Sequence, residues 1–229
     1  MLFDYITSSM TAIIFCDNIV DREVIQQYDL YKPMQNYIKC RGLYKRMVIL
    51  LKTRKECLEA YGSDYFINRM VEEGRLFRVD KGIFSEEEHV PEPALLSYKY
   101  PKAVITMDTA FYLYGLTDEV PDYCTMATSR ESAPIADVRV KQVFMPKELL
   151  GIGVITMDYK GYTIRIFDRE RMLVELLRYK SKLPFNYYKE ILGNYRRILP
   201  QLNAEKIRDY AEAVPKSNRV VRTLQTEVY

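Results

Sequence analysis

Asn68 and Arg69 stand side by side in the run Ser63-Asp64-Tyr65-Phe66-Ile67-Asn68-Arg69-Met70-Val71-Glu72-Glu73-Gly74. Both side chains make paired hydrogen bonds. In the major groove an amide matches the edge of adenine, and a guanidinium matches that of guanine. Lys52, Arg54, Lys55, Arg75, Arg78 and Lys81 flank the run, where phosphates would lie beside a helix set in the groove. With Ser63 and Tyr65 these residues form a candidate DNA-binding set. Residues 41–85 hold ten Lys/Arg and six Asp/Glu, a net +4. Charge alone leaves open a module that binds only protein, or that dimerises, because solvated faces are often basic.

The chemistry of catalysis is poorly supplied. His89 is the single histidine, so Ser-His-Asp and Cys-His arrangements depend on it alone. It lies in Glu86-Glu87-Glu88-His89-Val90-Pro91-Glu92-Pro93, an acidic, aperiodic stretch that reads as a junction. Cys16, Cys40, Cys57 and Cys124 form no CxxC pair, so neither a zinc cluster nor a redox motif is indicated, and scattered thiols fit a reducing cytoplasm. Asp108, Asp158, Asp168 and Glu170 have no diagnostic spacing. Asp158 suits a turn and Asp168 a helix cap. Gly151-Ile152-Gly153 lacks the third glycine of a dinucleotide loop, and no phosphate-binding loop occurs. The expectation is a binding protein without metal or cofactor. A nuclease-like enzyme using those carboxylates is the alternative from the catalytic class.

The elements that would position the binding residues can be read from periodicity. Phe66, Ile67, Met70 and Val71 fall on one face of a 3.6-residue repeat, with Asp64, Tyr65, Asn68, Arg69 and Glu72 on the other. Ser63 can cap this helix and Gly74 can stop it. Thr53 can cap a short helix carrying Cys57, Leu58 and Ala60, and Leu43 to Leu51 gives an earlier one. Two short strands meet at Asp80-Lys81-Gly82. Three short helices closed by a two-stranded ribbon predict a winged helix-turn-helix over 41–88, with the 63–74 helix as its reader.

Beyond the junction, residues 89–229 read as a mixed α/β domain. Short strands are expected at Ala103–Thr106, Tyr123–Ala127 and Val138–Met145, and helices at Ala94–Tyr98 and Met107–Tyr114. A hairpin spans Gly153–Asp158 and Tyr162–Phe167. Asp168 then caps a helix over Arg169–Tyr179 with Met172, Leu173, Leu176 and Leu177 inward. Helices follow at about 184–199, 204–213 and 215 to the end. The fold class is therefore α+β: an N-terminal winged helix-turn-helix, then a small sheet with a helical layer. Residues 1–40, with a helix at about 21–28, read as an extension that packs on the winged helix or on a second copy in a homodimer.

Composition is that of a globular chain able to bury a core, at 48% hydrophobic and 28% charged residues. The net +3 is uneven: −2 over 1–40, −6 over 86–159 and +7 over 160–229. The start has no basic leader region, and Ala12 to Cys16 is too short an apolar run to span a bilayer. A cytoplasmic protein without membrane contact is expected. In the basic last third, Arg169, Arg171, Arg196, Arg197 and Arg208 form a candidate second functional surface, suited to nucleic acid among other partners. Arg171 and Glu175, four apart, read as a surface pair. Interleaved tyrosines there can stack bases, but at helical spacing they also read as core.

An ordered series of segments resembles the AbiE-type antitoxins of abortive-infection, type IV toxin–antitoxin pairs. It runs from Arg78-Val79-Asp80-Lys81-Gly82-Ile83-Phe84 through Tyr100-Pro101-Lys102-Ala103-Val104-Ile105-Thr106, Thr109-Ala110 and Tyr114-Gly115-Leu116. It ends with Ile166-Phe167-Asp168-Arg169-Glu170-Arg171-Met172-Leu173-Val174-Glu175-Leu176-Leu177. The resemblance covers about 43–200. It implies a winged helix that represses its own operon by binding the operator DNA upstream. It also implies a C-terminal domain that neutralises a nucleotidyltransferase toxin without a stable complex. Direct sequestration of the toxin by a protein-interaction module is the alternative. Residues 1–40 are an addition to that pattern.

Overall fold

The computed structural model describes residues 51–228, all of them within one unit of the chain. The expected extension over 1–40, its helix, Cys16, Cys40 and the Leu43–Leu51 helix up to Leu50 lie outside the described residues.

The chain first builds a small three-stranded sheet with two helices. Strand β1 (Lys52–Thr53) runs into α1 (Arg54–Tyr61), α2 (Asp64–Glu72), β2 (Phe77–Asp80) and β3 (Ile83–Ser85). The strand order is β1-β3-β2, all antiparallel, with Lys52 opposite Phe84 and Arg78 opposite Phe84 on the other side. Thr53 ends β1 and caps α1 in a reciprocal box: its hydroxyl accepts from the Glu56 N–H, and the Glu56 carboxylate accepts from the Thr53 N–H at 2.6 Å. Gly62 (φ 85) breaks α1, and Gly74 (φ 66) turns the chain out of α2. Cys57, Ile67, Leu76 and Phe84 form the small core under these helices. The expected two-stranded ribbon thus has a third strand. Ser63 sits at the α2 cap position, but its side chain makes no capping bond.

The rest surrounds a five-stranded sheet of order β6-β5-β4-β8-β7. Its strands are β4 (Val104–Ile105), β5 (Cys124–Ser129), β6 (Val140–Met145), β7 (Val154–Tyr159) and β8 (Tyr162–Phe167). The β4–β8 and β5–β6 pairs are parallel, and β4–β5 and β7–β8 are antiparallel. Helices α3 (Glu92–Lys99), α4 (Met107–Leu113) and α5 (Lys147–Leu150) lie between strands. After β8 come α6 (Arg169–Tyr179), α7 (Phe185–Ile198), α8 (Ala204–Ala213) and α9 (Ser217–Glu227). Leu51 and Ile83 of the small sheet belong to the same core as Ile105, Phe111, Ile166 and Leu173.

Helix α6 is buried throughout from Arg171 to Leu177, and α4, α7, α8 and α9 pack against it. Its start is fixed by side chains from the whole domain. Asp168 caps it, accepting from the Arg171 N–H at 2.8 Å and from the Tyr210 hydroxyl at 3.0 Å. The Asp168 N–H donates to the Gly153 carbonyl at 2.7 Å, and the Tyr195 hydroxyl to the Arg169 carbonyl at 3.0 Å. Gly153 (φ 75) passes so close that a Cβ there would lie 2.7 Å from the Arg171 Cβ. That approach and the positive φ both call for glycine here. Arg171 therefore lies inside the protein, fully buried, and Glu175 is 1% exposed. Their pair, Nη2 to Oε1 at 2.6 Å, is a buried one and not the expected surface pair.

Replacing Glu175 by Ala strands a buried guanidinium, which typically costs about 3–5 kcal/mol. We expect urea denaturation of Glu175→Ala to show a loss of that size. The double replacement Arg171→Met/Glu175→Leu should lose much less, because an apolar pair of similar volume needs no ion partner.

Candidate nucleic-acid interface

The candidate reader, α2, owes its orientation to a narrow apolar seam. Ile67 is 2% exposed, and Met70 and Val71 pack beside it on the small core. Asp64, Tyr65, Asn68, Arg69 and Glu72 face outward. Phe66, expected inward, is 46% exposed. It is the residue before Ile67, about 100° round the helix, and the seam is too narrow to reach it. Tyr65 is 70% exposed and meets the Phe66 ring edge-on at 5.5 Å. Phe66, Tyr61 and Met70 line a shallow cleft of about 300 Å³ with Arg69, Glu73 and Arg75 at its rim.

Most of the candidate contacts are brought to this side of the molecule already paired. Arg54, at the start of α1, holds Asp64 at the start of α2 through Nε at 3.0 Å and Nη2 at 2.5 Å. Arg69 donates to Glu73 at 2.8 Å, and Arg75 is 3.5 Å from the same carboxylate. The Arg69 guanidinium holds the Glu73 carboxyl below the usual carboxylate range. Lys55 lies 3.9 Å from Glu59. Arg78, on β2, lies over the Phe84 ring and donates to the Asn68 side-chain oxygen at 3.4 Å. That bond joins the hairpin to α2 at the residue best suited to read a base. Lys81 is exposed in the β2–β3 turn. Lys52 differs from the rest: it is half-buried and donates to Glu86 at 3.0 Å and to the Tyr61 hydroxyl at 3.2 Å.

The β2–β3 turn is anchored from behind. Asp80 meets Arg139 at 2.6 Å and Lys99 at 3.0 Å, and both cations also hold Asp137, at 2.8 and 2.9 Å. Asp137 is 7% and Asp80 14% exposed. The Arg139 guanidinium brings the Asp80 carboxyl down to about 2 and holds Asp137 well below the carboxylate range. A second tie joins the Tyr98 hydroxyl of α3 to Glu56 in the α1 capping box, at 2.8 Å. Sequence reasoning finds in Asp80 a turn residue only. Its partners lie 19 and 59 positions away, and no local spacing signals them.

The second candidate surface is divided. Arg171 is removed from it, being buried in α6. Arg169 is exposed over the Tyr114 ring at 5.3 Å. Arg196 donates to the Glu227 carbonyl at 2.8 Å and Arg197 to Asn194 at 3.1 Å. Arg208 is exposed on α8. The interleaved Tyr188 and Tyr195 are core residues, 2% and 0% exposed. Among the described residues no three His, Cys, Asp or Glu side chains gather in a way that could hold a metal ion. No helix among them is long and apolar enough to cross a membrane.

No protein-family model and no curated protein matches the sequence. Among solved structures, the crystal structure of the RV2827C protein from Mycobacterium tuberculosis is similar with a TM-score of 0.52 at 13% identity. The match covers 86% of this chain and 76% of that one. At that identity the likeness speaks to the fold: a mixed α+β chain with two small sheets.

The anchor gives a pH signature. A carboxylate whose folded pKa is depressed adds stability above its unfolded pKa and loses it as pH falls through the folded value. For Asp80 that window runs from about pH 4 to about pH 2, with a contribution of about 1–2 kcal/mol. We expect Asp80→Asn to lose about that much at pH 7 and to flatten the decline in stability between those pH values, as followed by urea melts.

Proposed function

We propose that residues 41–88 form a winged helix-turn-helix that reads DNA. In this reading α2 is the recognition helix and the β2–β3 hairpin is the wing. The observation that carries the reading is the outer face of α2. Tyr65, Asn68 and Arg69 stand together there, Arg78 reaches across from the hairpin to Asn68, and Arg54, Arg75 and Lys81 surround them. Asn and Arg supply base-edge recognition, and the surrounding cations supply phosphate contacts that set register.

Taken with the ordered AbiE-like segments, we infer an autorepressor and antitoxin of a type IV toxin–antitoxin operon. Its DNA partner is the operator upstream of its own operon, and the toxin it counteracts is a nucleotidyltransferase. A homodimer would suit a two-part operator. A second reading, in which α2 docks directly on the toxin as a protein-interaction module, is favoured by one observation. Tyr65 and Phe66 expose aromatic surface beside an apolar cleft, and such aromatics anchor protein interfaces.

Fluorescence anisotropy on the upstream DNA across a salt series separates the two. The proposal expects tight binding that weakens steeply with salt, and loss of preference over random DNA in Asn68→Ala/Arg69→Ala. Equal binding to random DNA by the wild type would sink it in favour of the protein-docking reading. Glu73→Gln removes the carboxylate shared by Arg69 and Arg75. It should tighten DNA binding by roughly threefold to tenfold at low salt, with less gain as salt rises.

A further inference from the structure

A second concave site lies on the far part of the chain, where the end of α6 meets the start of α9. It is a pocket of about 180 Å³. Arg178, Lys182, Lys216 and Arg219 line it with Tyr179 and Ser181, and no acidic residue does. The Tyr179 ring orients two of the cations: Arg178 lies 4.5 Å from its centroid and Lys182 5.2 Å.

The charge here is under-neutralised. Arg178 is bound to Glu175 at 2.8 and 2.5 Å, yet that carboxylate also serves the buried Arg171. Two guanidiniums share one anion, and Arg171 still has Nε and Nη1 buried without a hydrogen-bond partner. Lys182, Lys216 and Arg219 form no ion pair among the described residues. Backbone polarity adds to this. Helix α9 has Lys216 at its cap position, in a left-handed conformation (φ 64, ψ 35) after Pro215, and no side chain caps it. The Arg219 and Val220 N–H groups already donate to the Lys216 carbonyl, so what this end adds is the positive end of the helix dipole. Four cations, an uncapped helix start and a neighbouring hydroxyl match the needs of a tetrahedral oxyanion.

Size selects within that class. The pocket, about 180 Å³, has room for one or two phosphoryl groups and opens to solvent. We propose that this pocket binds a terminal phosphoryl or pyrophosphoryl group, at a site separate from the face of α2. The group is held by Lys216, Arg219 and Lys182 with Arg178 behind them, and whatever it is attached to projects into solvent. A free diphosphate and the 5′-phosphate of a nucleic-acid chain share this chemistry.

The test uses the full chain with inorganic pyrophosphate as the probe, followed by calorimetry and by ³¹P line broadening. Saturable binding at about one per chain is expected, weakened at least tenfold in Lys216→Glu/Arg219→Glu, a change of about 1.4 kcal/mol or more. Arg196→Glu/Arg197→Glu, an equal charge change on α7, should leave it unaltered. Lys216→Ala/Arg219→Ala replaces the reversal pair if melting shows the latter misfolded. No saturable binding up to about 10 mM, or equal loss in the α7 variant, overturns the proposal, the second outcome reducing it to a general positive field. Competition by two oligonucleotides of one sequence identifies the source. Displacement only by the 5′-phosphorylated one assigns a nucleic-acid end, and displacement by neither assigns a free diphosphate. Equal displacement by both means backbone phosphates and overturns a terminal-phosphate site. None of these outcomes depends on operator binding by α2.

Discussion

The larger part of the fold depends on putting a charged helix where only apolar helices usually go. From Arg171 to Leu177 helix α6 has no face left for solvent, so the charges of Arg171 and Glu175 must be met inside. An ion pair moved from water into an interior loses several kcal/mol of hydration per ion, and geometry must recover it. Glu175 does so by accepting from both Arg171 and Arg178. The Phe167 ring, 5.5 Å from the Arg171 guanidinium, gives a further polarised surface. Arg171, Glu175 and Arg178 all belong to α6, so the pair travels with the helix, and its rotation and depth are set by bonds to other elements. The close passage of Gly153, the Asp168 cap and the tyrosine bonds from Tyr114, Tyr195 and Tyr210 all converge on that one setting. Burial pushes the Tyr210 hydroxyl up to about 12, so it stays a donor to Asp168 at any physiological pH.

The smaller sheet is set on this body by two kinds of contact that act at different ranges. Leu51 and Ile83 enter the common core, which supplies attraction without direction. The Asp80–Arg139–Asp137–Lys99 cluster supplies direction, because two carboxylates and two cations within 3 Å of one another admit few arrangements. It grips the hairpin just before its turn, at the residue next to Lys81. The hairpin is thereby held beside its turn, and α2 is joined to it through the Arg78–Asn68 bond. A reading face needs such support, since a displaced hydrogen-bonding group loses most of its selectivity.

Local structure was legible and long-range charge was not. Thr53, Gly62, Gly74 and the Tyr159-Lys160-Gly161 turn act within a few residues, and their types state their roles directly. The α6 stripe was legible for the same reason. What escaped was the second layer over α6. A helix start with Arg, Glu and Arg reads as solvated unless one knows that α8 and α9, more than 30 residues on, will cover it. Asp168 reads as a cap in sequence and is one, whereas Glu170 has no role there that spacing reveals. In the fold Glu170 accepts from the Asn203 N–H at 3.0 Å. The missing β1 had no signal either, since two residues, Lys52 and Thr53, carry no periodicity and pair only because β3 offers an edge. Phe66 failed for a different reason: a face drawn on a helical wheel has a width, and only packing sets it.

The same limit applies to the charges around α2, and here the structure changes what the sequence suggested. Ten basic residues over 41–85 imply a strong positive field. Yet Arg54, Lys55, Arg69 and Arg75 each have a carboxylate within 4 Å, all exposed. Exposed pairs contribute about 0–1 kcal/mol each, so they stabilise little, and exchanging Glu73 for a phosphate costs little. Arg69 and Arg75 share Glu73, so these four cations meet three carboxylates and the segment keeps a net positive charge, while a single bond of 3.4 Å joins Asn68 and Arg78. In the proposed DNA-reading role, a duplex would take over cations now held by exposed carboxylates, and Asn68 and Arg69 would supply the short-range fit that a sequence reader needs among many wrong sites.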